Sequence, residues 1–128
     1  MKSHTDIPQS KKLMEFLPHE SADMYYQYVL PKSDRIKHNP EIGNPISALE
    51  WYNKGYTMSG KEPITMDEYC VPCWSLAALL DVYPMCVGRN SGTFRCWVDS
   101  KCICSDSFDN PIDACVDMII KLKERNLI

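Results

Sequence analysis

The segment from Cys70 to Pro84 constrains the fold most strongly, because it joins the densest apolar run of the chain to its C-x-x-C pair. Pro72 suits the first position of a helix, where its missing N–H is not needed, and Pro84 is placed to end that helix. The apolar residues between them are Leu76, Ala77, Leu79, Leu80 and Tyr83. The pattern therefore predicts a buried central helix that begins near Pro72.

Length and composition favour an ordinary globular protein. A chain of 128 residues fits one domain and buries roughly two thirds of its extended-chain surface on folding. Its residues are 45% hydrophobic and 24% charged, which argues against wholesale disorder. The formal net charge of −3 gives no basic field for phosphates, so we expect no nucleic-acid partner. The nearest basic cluster, Lys121, Lys123 and Arg125, falls in the last turns of a predicted helix, where cations complement the helix dipole.

The sequence shows neither a secretion signal nor a membrane span. Residues 1–8 lack an apolar core of about seven residues, and no run of about 18 apolar residues occurs. We therefore predict a cytoplasmic protein without a membrane partner. The seven cysteines of such a chain are expected to be mostly reduced thiols, because the cytosol keeps thiols reduced.

The first third of the chain is predicted to hold a helix, a strand and a loop. Flanking prolines and an apolar stripe place a short helix at 7–17. Aromatic and β-branched residues place a strand at 24–30, which a proline bounds. Residues 31–44 are charged and contain two prolines, so they have the composition of a polar loop.

Two helix starts follow this loop. Asn44 suits the N-cap and Pro45 the first position of a helix over 44–54, which Gly55 is placed to end. Residues 65–68, with the sequence Thr-Met-Asp-Glu, resemble a capping box that opens a turn before the central helix.

Beyond Pro84 the apolar pattern changes to a period of two, which indicates a β-meander over 85–105. As at 44–45, an asparagine suited to the N-cap, Asn110, is followed by a proline suited to the first helical position, Pro111. They predict the start of a helix with one apolar face over 110–125. We predict a single α+β domain over 1–128. In it, a small antiparallel sheet of three or four strands packs against the central and C-terminal helices.

The register of the last hairpin decides what its cysteines contact. A two-residue loop at Asp99-Ser100 places Cys96 opposite Ile103, within a core face that also holds Phe94 and Val98. It leaves Cys102 and Cys104 on the other face with Arg95 and Trp97. A loop one residue longer brings Cys96, Cys102 and Cys104 together instead. We expect the shorter loop.

Two segments of the C-terminal half resemble a group of small proteins. The first is Pro-Cys-Trp-Ser-Leu-Ala-Ala-Leu-Leu at 72–80, and the second is Asp-Asn-Pro-Ile-Asp-Ala-Cys-Val-Asp-Met-Ile-Ile at 109–120. Together they resemble proteins of phage and mobile-element gene clusters in gut anaerobic bacteria, a group with no assigned function. The resemblance implies a genomic setting and transfers no catalytic or binding residue.

The pair Cys70 and Cys73 has two chemical interpretations besides packing. Cys-Val-Pro-Cys resembles the C-x-P-C dithiol of thioredoxin-like proteins, and a helix N-terminus there would favour a reactive thiolate. The strand that should precede such a helix is missing from the pattern at 61–69. The competing interpretation makes Cys73 a small core residue and Cys70 a partly buried thiol.

The second chemical interpretation is a zinc site made by Cys70, Cys73, Cys102 and Cys104, since four thiolates close a tetrahedral structural site. A C-x-C pair on a regular strand holds its side chains about 7 Å apart, however, whereas ligands of one ion lie closer together. We therefore predict no metal and no other cofactor.

Other polar clusters have structural explanations. His4, His19 and His38 lie in polar surroundings, so a Cys–His nucleophilic dyad is not indicated. Carboxylates crowd the last loop and the helix that follows, as in a cation site or an acid–base pair; they are Asp106, Asp109, Asp113 and Asp117. The stronger explanation is that acidic residues stabilise a helix N-terminus.

The favoured function is a non-enzymatic binding or accessory protein of a mobile element that acts through protein contacts. The alternative is a thiol oxidoreductase or a zinc-stabilised module built on Cys70 and Cys73. A contact or self-association surface is predicted over 51–69, because aromatic residues are enriched at interfaces; it comprises Trp51, Tyr52, Tyr56 and Tyr69. The competing interpretation is that these four side chains complete the core.

Overall fold

The computed structural model describes residues 1–98 and 102–128. The described chain forms two compact units, which we call the N-terminal unit, Asp6–Trp74, and the C-terminal unit, Met1–Thr5 with Ser75–Ile128. Each unit combines helices with an antiparallel sheet, so the predicted α+β class is confirmed. One sheet of three or four strands was expected, and the described residues form two sheets of three strands. A single domain over the whole chain stays a prediction.

The N-terminal unit is built around strand β1, Met24–Gln27. This strand pairs antiparallel with β2, Glu41–Ile42, on one side and with β3, Cys70–Cys73, on the other. Helix α1, Ile7–Leu13, packs against β3. Its start is fixed by a capping box at Asp6, and it ends four residues earlier than predicted.

The helix predicted between Pro72 and Pro84 is wrong in its first part and too long at its end. Residues Cys70–Cys73 are the strand β3, and Pro72 pairs with Tyr25 of β1. Because β3 is an edge strand, the missing N–H of proline is tolerated there. The helix itself, α4, begins later and spans Leu76–Leu80, with the Ser75 side chain as its N-cap.

Helix α2, Pro45–Met58, begins where the sequence predicts and ends later. The Asn44 side-chain oxygen accepts hydrogen bonds from two backbone N–H groups of the first turn, at 3.0 and 3.3 Å, which confirms the N-cap. The prediction that Gly55 ends the helix is wrong, since Gly55 lies inside α2 and Ser59 is the C-cap. A short helix α3, Met66–Tyr69, follows, and the predicted capping box is present at its start.

The C-terminal unit packs a β-meander against helix α5, Pro111–Glu124, which Asn110 caps as predicted. The strands β4, β5 and β6 span Cys86–Asn90, Thr93–Val98 and Ile103–Cys104, and they lie in that order in the sheet. The buried face of α5 consists of Ile112, Ala114, Cys115, Val116, Met118, Ile119 and Leu122. Among the described helices, none is long and apolar enough to cross a membrane.

The hairpin of β5 and β6 has a longer loop than predicted. Val98 pairs with Ile103, whereas the predicted register opposed Cys96 to Ile103. That prediction is wrong by two residues; the predicted turn at Asp99-Ser100 and the residue after it lie outside the described residues. Because an even shift preserves the faces of a strand, Cys96, Val98 and Ile103 are still buried and Cys104 is exposed.

Candidate functional site

Helix α2 carries most of the aromatic residues predicted to form a contact surface, and its two faces differ. Tyr52 and Tyr56 lie one turn apart on the inner face, with ring centroids 5.1 Å from each other. The ring of Tyr52 is also 5.0 Å from that of Tyr69. Both helical tyrosines pack against a buried cluster of Ile64, Tyr69 and Cys70. The inner face therefore holds α2 on the N-terminal unit.

The outer face of α2 consists of Trp51, Gly55 and Met58, which follow one another at helical spacing, with Lys54 beside them. The Trp51 side chain is 80% exposed and that of Met58 is 82% exposed. A Cβ built on Gly55 meets nothing within 4 Å in the described chain. The glycine therefore leaves a notch between two protruding apolar side chains. The surrounding depression has a volume of about 470 Å³.

Hydrogen bonds fix the position of α2. The Asn53 side chain donates to the carbonyl oxygen of Ile64 and accepts from the N–H of Ile64, both at 2.9 Å. The Lys61 ammonium lies 5.0 Å from the centre of the Tyr56 ring, within the range of a cation–π contact. Both contacts tie the C-terminal half of α2 to the segment that follows it. The outer face is thus presented by an anchored helix.

The structure separates the four aromatic residues predicted as contact residues. Tyr69 is only 6% exposed and belongs to the core, Tyr52 and Tyr56 are half-buried, and Trp51 is exposed. A contact role for this segment stays a prediction. Gly55 and Met58 join Trp51 on the outer face, and sequence reasoning did not include them. The sequence did carry a signal for this face: Gly55 and Met58 follow Trp51 by four and seven residues, a spacing that places all three on one side of a helix.

The C-x-x-C pair does not form a dithiol centre in this fold. Cys70 and Cys73 lie at opposite ends of β3, about 10 Å apart along an extended strand, and their odd separation turns them to opposite faces. Accordingly, Cys70 packs with Ile64 and Tyr69, whereas Cys73 packs with Tyr26 and Val71. Both are fully buried. Burial, helped by the charge of Asp67, raises the pKa of the Cys70 thiol to about 12, so the reactive thiolate form is disfavoured.

The other zinc candidates, Cys102 and Cys104, are exposed. Cys104 lies on β6 opposite Trp97, while Cys102 precedes the strand with a left-handed φ of 52°. Among the described residues, no group of three or more His, Cys, Asp or Glu side chains is arranged to hold a metal ion.

Another pair of thiols is buried between β5 and α5. The Cys96 thiol is hydrogen-bonded to that of Cys115, and both residues are fully buried. This hydrogen bond, together with burial, raises the pKa of Cys96. The pair lies inside the core of the C-terminal unit, where buried thiols pack as small apolar side chains.

The acidic residues of the last helix make structural contacts. Asp113 accepts a hydrogen bond from the Lys2 ammonium at 2.8 Å and another from the Asn110 amide at 2.9 Å. Asp117 forms an ion pair with Lys121 at 3.0 Å. The basic Lys121 is therefore paired within its own helix, and these carboxylates stabilise the helix and its start.

Comparison with models of protein families, with curated proteins and with solved structures finds no match to this chain. The outer face of α2 is consequently the candidate site on physical grounds alone.

Proposed function

We propose that this chain is a non-enzymatic binding protein that acts through protein contacts made by the outer face of α2. The observation that carries the proposal is the exposure of two large apolar side chains on one anchored helix face: Trp51 is 80% exposed and Met58 is 82% exposed. Grouped apolar side chains of this kind mark interaction surfaces, and tryptophan is enriched among the residues that dominate binding energy. Following the resemblance of its C-terminal half, we assign it as a cytoplasmic accessory protein of a mobile element.

Gly55 supports the same proposal. A glycine inside an exposed helix destabilises it by about 1 kcal/mol relative to alanine. The fold gives no steric reason for it, because its φ is not positive and a Cβ has open space within the described chain. A bare backbone at this position does allow a partner to approach α2 closely.

The alternative function, a thiol oxidoreductase or zinc module on Cys70 and Cys73, receives no support from their positions. The two thiols are buried on opposite faces of β3. A redox or metal reaction needs two sulfur atoms that converge and reach solvent or an ion.

Site-specific photocrosslinking in the native host tests the proposal. Trp51 is replaced by the photoreactive amino acid p-benzoylphenylalanine, and a matched variant carries it at Lys11, an exposed position on α1. We expect protein adducts from position 51 and none above background from position 11. Adding Gly55→Arg should abolish the adducts, because a long side chain fills the notch. Equal labelling at both positions, or labelling insensitive to Gly55→Arg, contradicts the proposal.

A further inference from the structure

We infer that the outer face of α2 binds the same face of a second copy of this chain, with the two helices antiparallel. This inference rests on the proposed function and names its partner. It follows from two properties of the surface, its shape and its charge, which are both self-complementary.

The shape argument concerns Trp51 and Gly55. The exposed indole of Trp51 is a protrusion, and Gly55, one turn further along α2, is a notch. In a twofold-symmetric pair, a contact from residue i to residue j is repeated from j to i. If Trp51 of one copy enters the notch at Gly55 of the other, the symmetry fills both notches at once. The axis then crosses the outer face at the level of residue 53, which is midway between the two residues in sequence.

The charge argument concerns Glu50 and Lys54, which are exposed and border one side of the outer face. In an antiparallel helix pair, the same flank of each helix lies beside its counterpart. With the axis near residue 53, Glu50 of each copy lies within about one helical turn of Lys54 of the other. Two symmetric ion pairs therefore form. A parallel twofold pair would place this flank beside the opposite flank of the other helix, so these two ion pairs form only in the antiparallel arrangement.

The expected interface is small. An aromatic side chain buries on the order of 150–250 Å², and each copy contributes one tryptophan and one methionine to the centre. Interfaces below about 1,200 Å² are typical of weak and transient complexes. We therefore expect a reversible dimer that forms at micromolar or higher protein concentration.

Sedimentation of the full chain from about 10 to about 500 μM tests the inference, since this range brackets weak association. We expect a concentration-dependent shift from monomer to dimer. Trp51→Ala should weaken the dimer at least tenfold, and Lys11→Glu on α1 should leave it unchanged. Gly55→Ala is the sharper variant, because alanine raises the melting temperature of the dilute protein while its methyl group fills the notch and weakens the dimer.

A charge swap tests the antiparallel geometry. Glu50→Lys and Lys54→Glu should each weaken the dimer about threefold, because each places like charges together. The double variant E50K/K54E restores the opposite charges across the axis and should recover the wild-type dissociation constant. A double variant that dimerises no more tightly than the single variants overturns the antiparallel arrangement.

The outcomes also separate this inference from the proposed function. A chain that stays monomeric over the whole range, or a dimer insensitive to Trp51→Ala, overturns self-association through α2. If photocrosslinking at position 51 nevertheless gives adducts that Gly55→Arg abolishes, the proposed function stands with a different protein partner. If it gives none, both fail.

Discussion

The indole ring of Trp97 lies against the backbone of Gly88, so that a Cβ built on Gly88 would be 2.8 Å from Cη2 and 3.1 Å from Cζ3 of the ring. The two residues belong to the neighbouring strands β5 and β4. A larger residue at position 88 would therefore force the ring of Trp97 to shift from its place over the strand. We predict that Gly88→Ala lowers the free energy of unfolding by about 1 kcal/mol, because the ring must move. Urea denaturation measures this change.

A double-mutant cycle supplies the control for Gly88→Ala. In a Trp97→Val background the same substitution meets a smaller side chain, and its cost should fall below about 0.5 kcal/mol. An equal cost in both backgrounds would show that the ring of Trp97 is not the cause.

The starts of the two long helices were predictable because they depend on neighbouring residues alone. Asn44 and Asn110 each precede a proline, and both cap helices as the sequence indicates. The helix start predicted at Pro72 was wrong because the structure there depends on a distant part of the chain. The strand that contains it exists because it pairs with Met24–Gln27, more than forty residues earlier, and no local pattern reports such a pairing.

The end of α2 shows tertiary contacts overriding local propensity. Gly55 favours a helix end, yet the next turn contains Tyr56, which packs on the buried cluster around Tyr69. The candidate site was likewise predictable only in part. Aromatic composition pointed to the segment, but the division into an inner and an outer face depends on which side of α2 the core lies.

Among the polar residues of α2, we expect Asn53 to contribute most to the stability of the folded protein. Asn53→Ala removes both 2.9 Å hydrogen bonds to the backbone of Ile64, a residue only 5% exposed, and leaves its N–H and C=O unpaired. We predict a loss of about 1–3 kcal/mol in the free energy of unfolding, measured by urea denaturation. Thr57→Ala, on an exposed position of the same helix, should change it by less than about 0.5 kcal/mol. Equal effects of the two substitutions would contradict the role of Asn53.

The cysteines should divide into two reactivity classes. Cys86, Cys102 and Cys104 are exposed, whereas Cys70, Cys73, Cys96 and Cys115 are buried. With iodoacetamide under native conditions, we predict rapid addition of three adducts per chain and slow labelling of the other four at a rate set by unfolding. Peptide mass spectrometry identifies the sites. Early labelling of Cys70 or Cys73 would contradict their burial and revive the dithiol function.

Stability should fall on the alkaline side, where Cys96, whose pKa is also raised, contributes together with the thiol of Cys70. Burial raises the pKa of this thiol from 9.0 to about 12 in the folded protein, so the unfolded chain loses the proton first as the pH rises. The resulting stabilisation is fully present below about pH 9 and is lost as the pH rises towards 12. The slope attributable to one such group is at most about 1.4 kcal/mol per pH unit.

Cys70→Ala isolates this contribution, since the variant has no thiol to titrate at that position. Urea denaturation between pH 8 and about pH 10 should give a shallower decline for Cys70→Ala than for the wild type, whatever the variant's stability at pH 8. The upper limit matters because burial also raises the pKa of Tyr26 and Tyr69 above the ordinary 10.0, so their contributions are lost only at higher pH. Parallel slopes for wild type and Cys70→Ala would mean that the thiol of Cys70 is not held protonated by the fold.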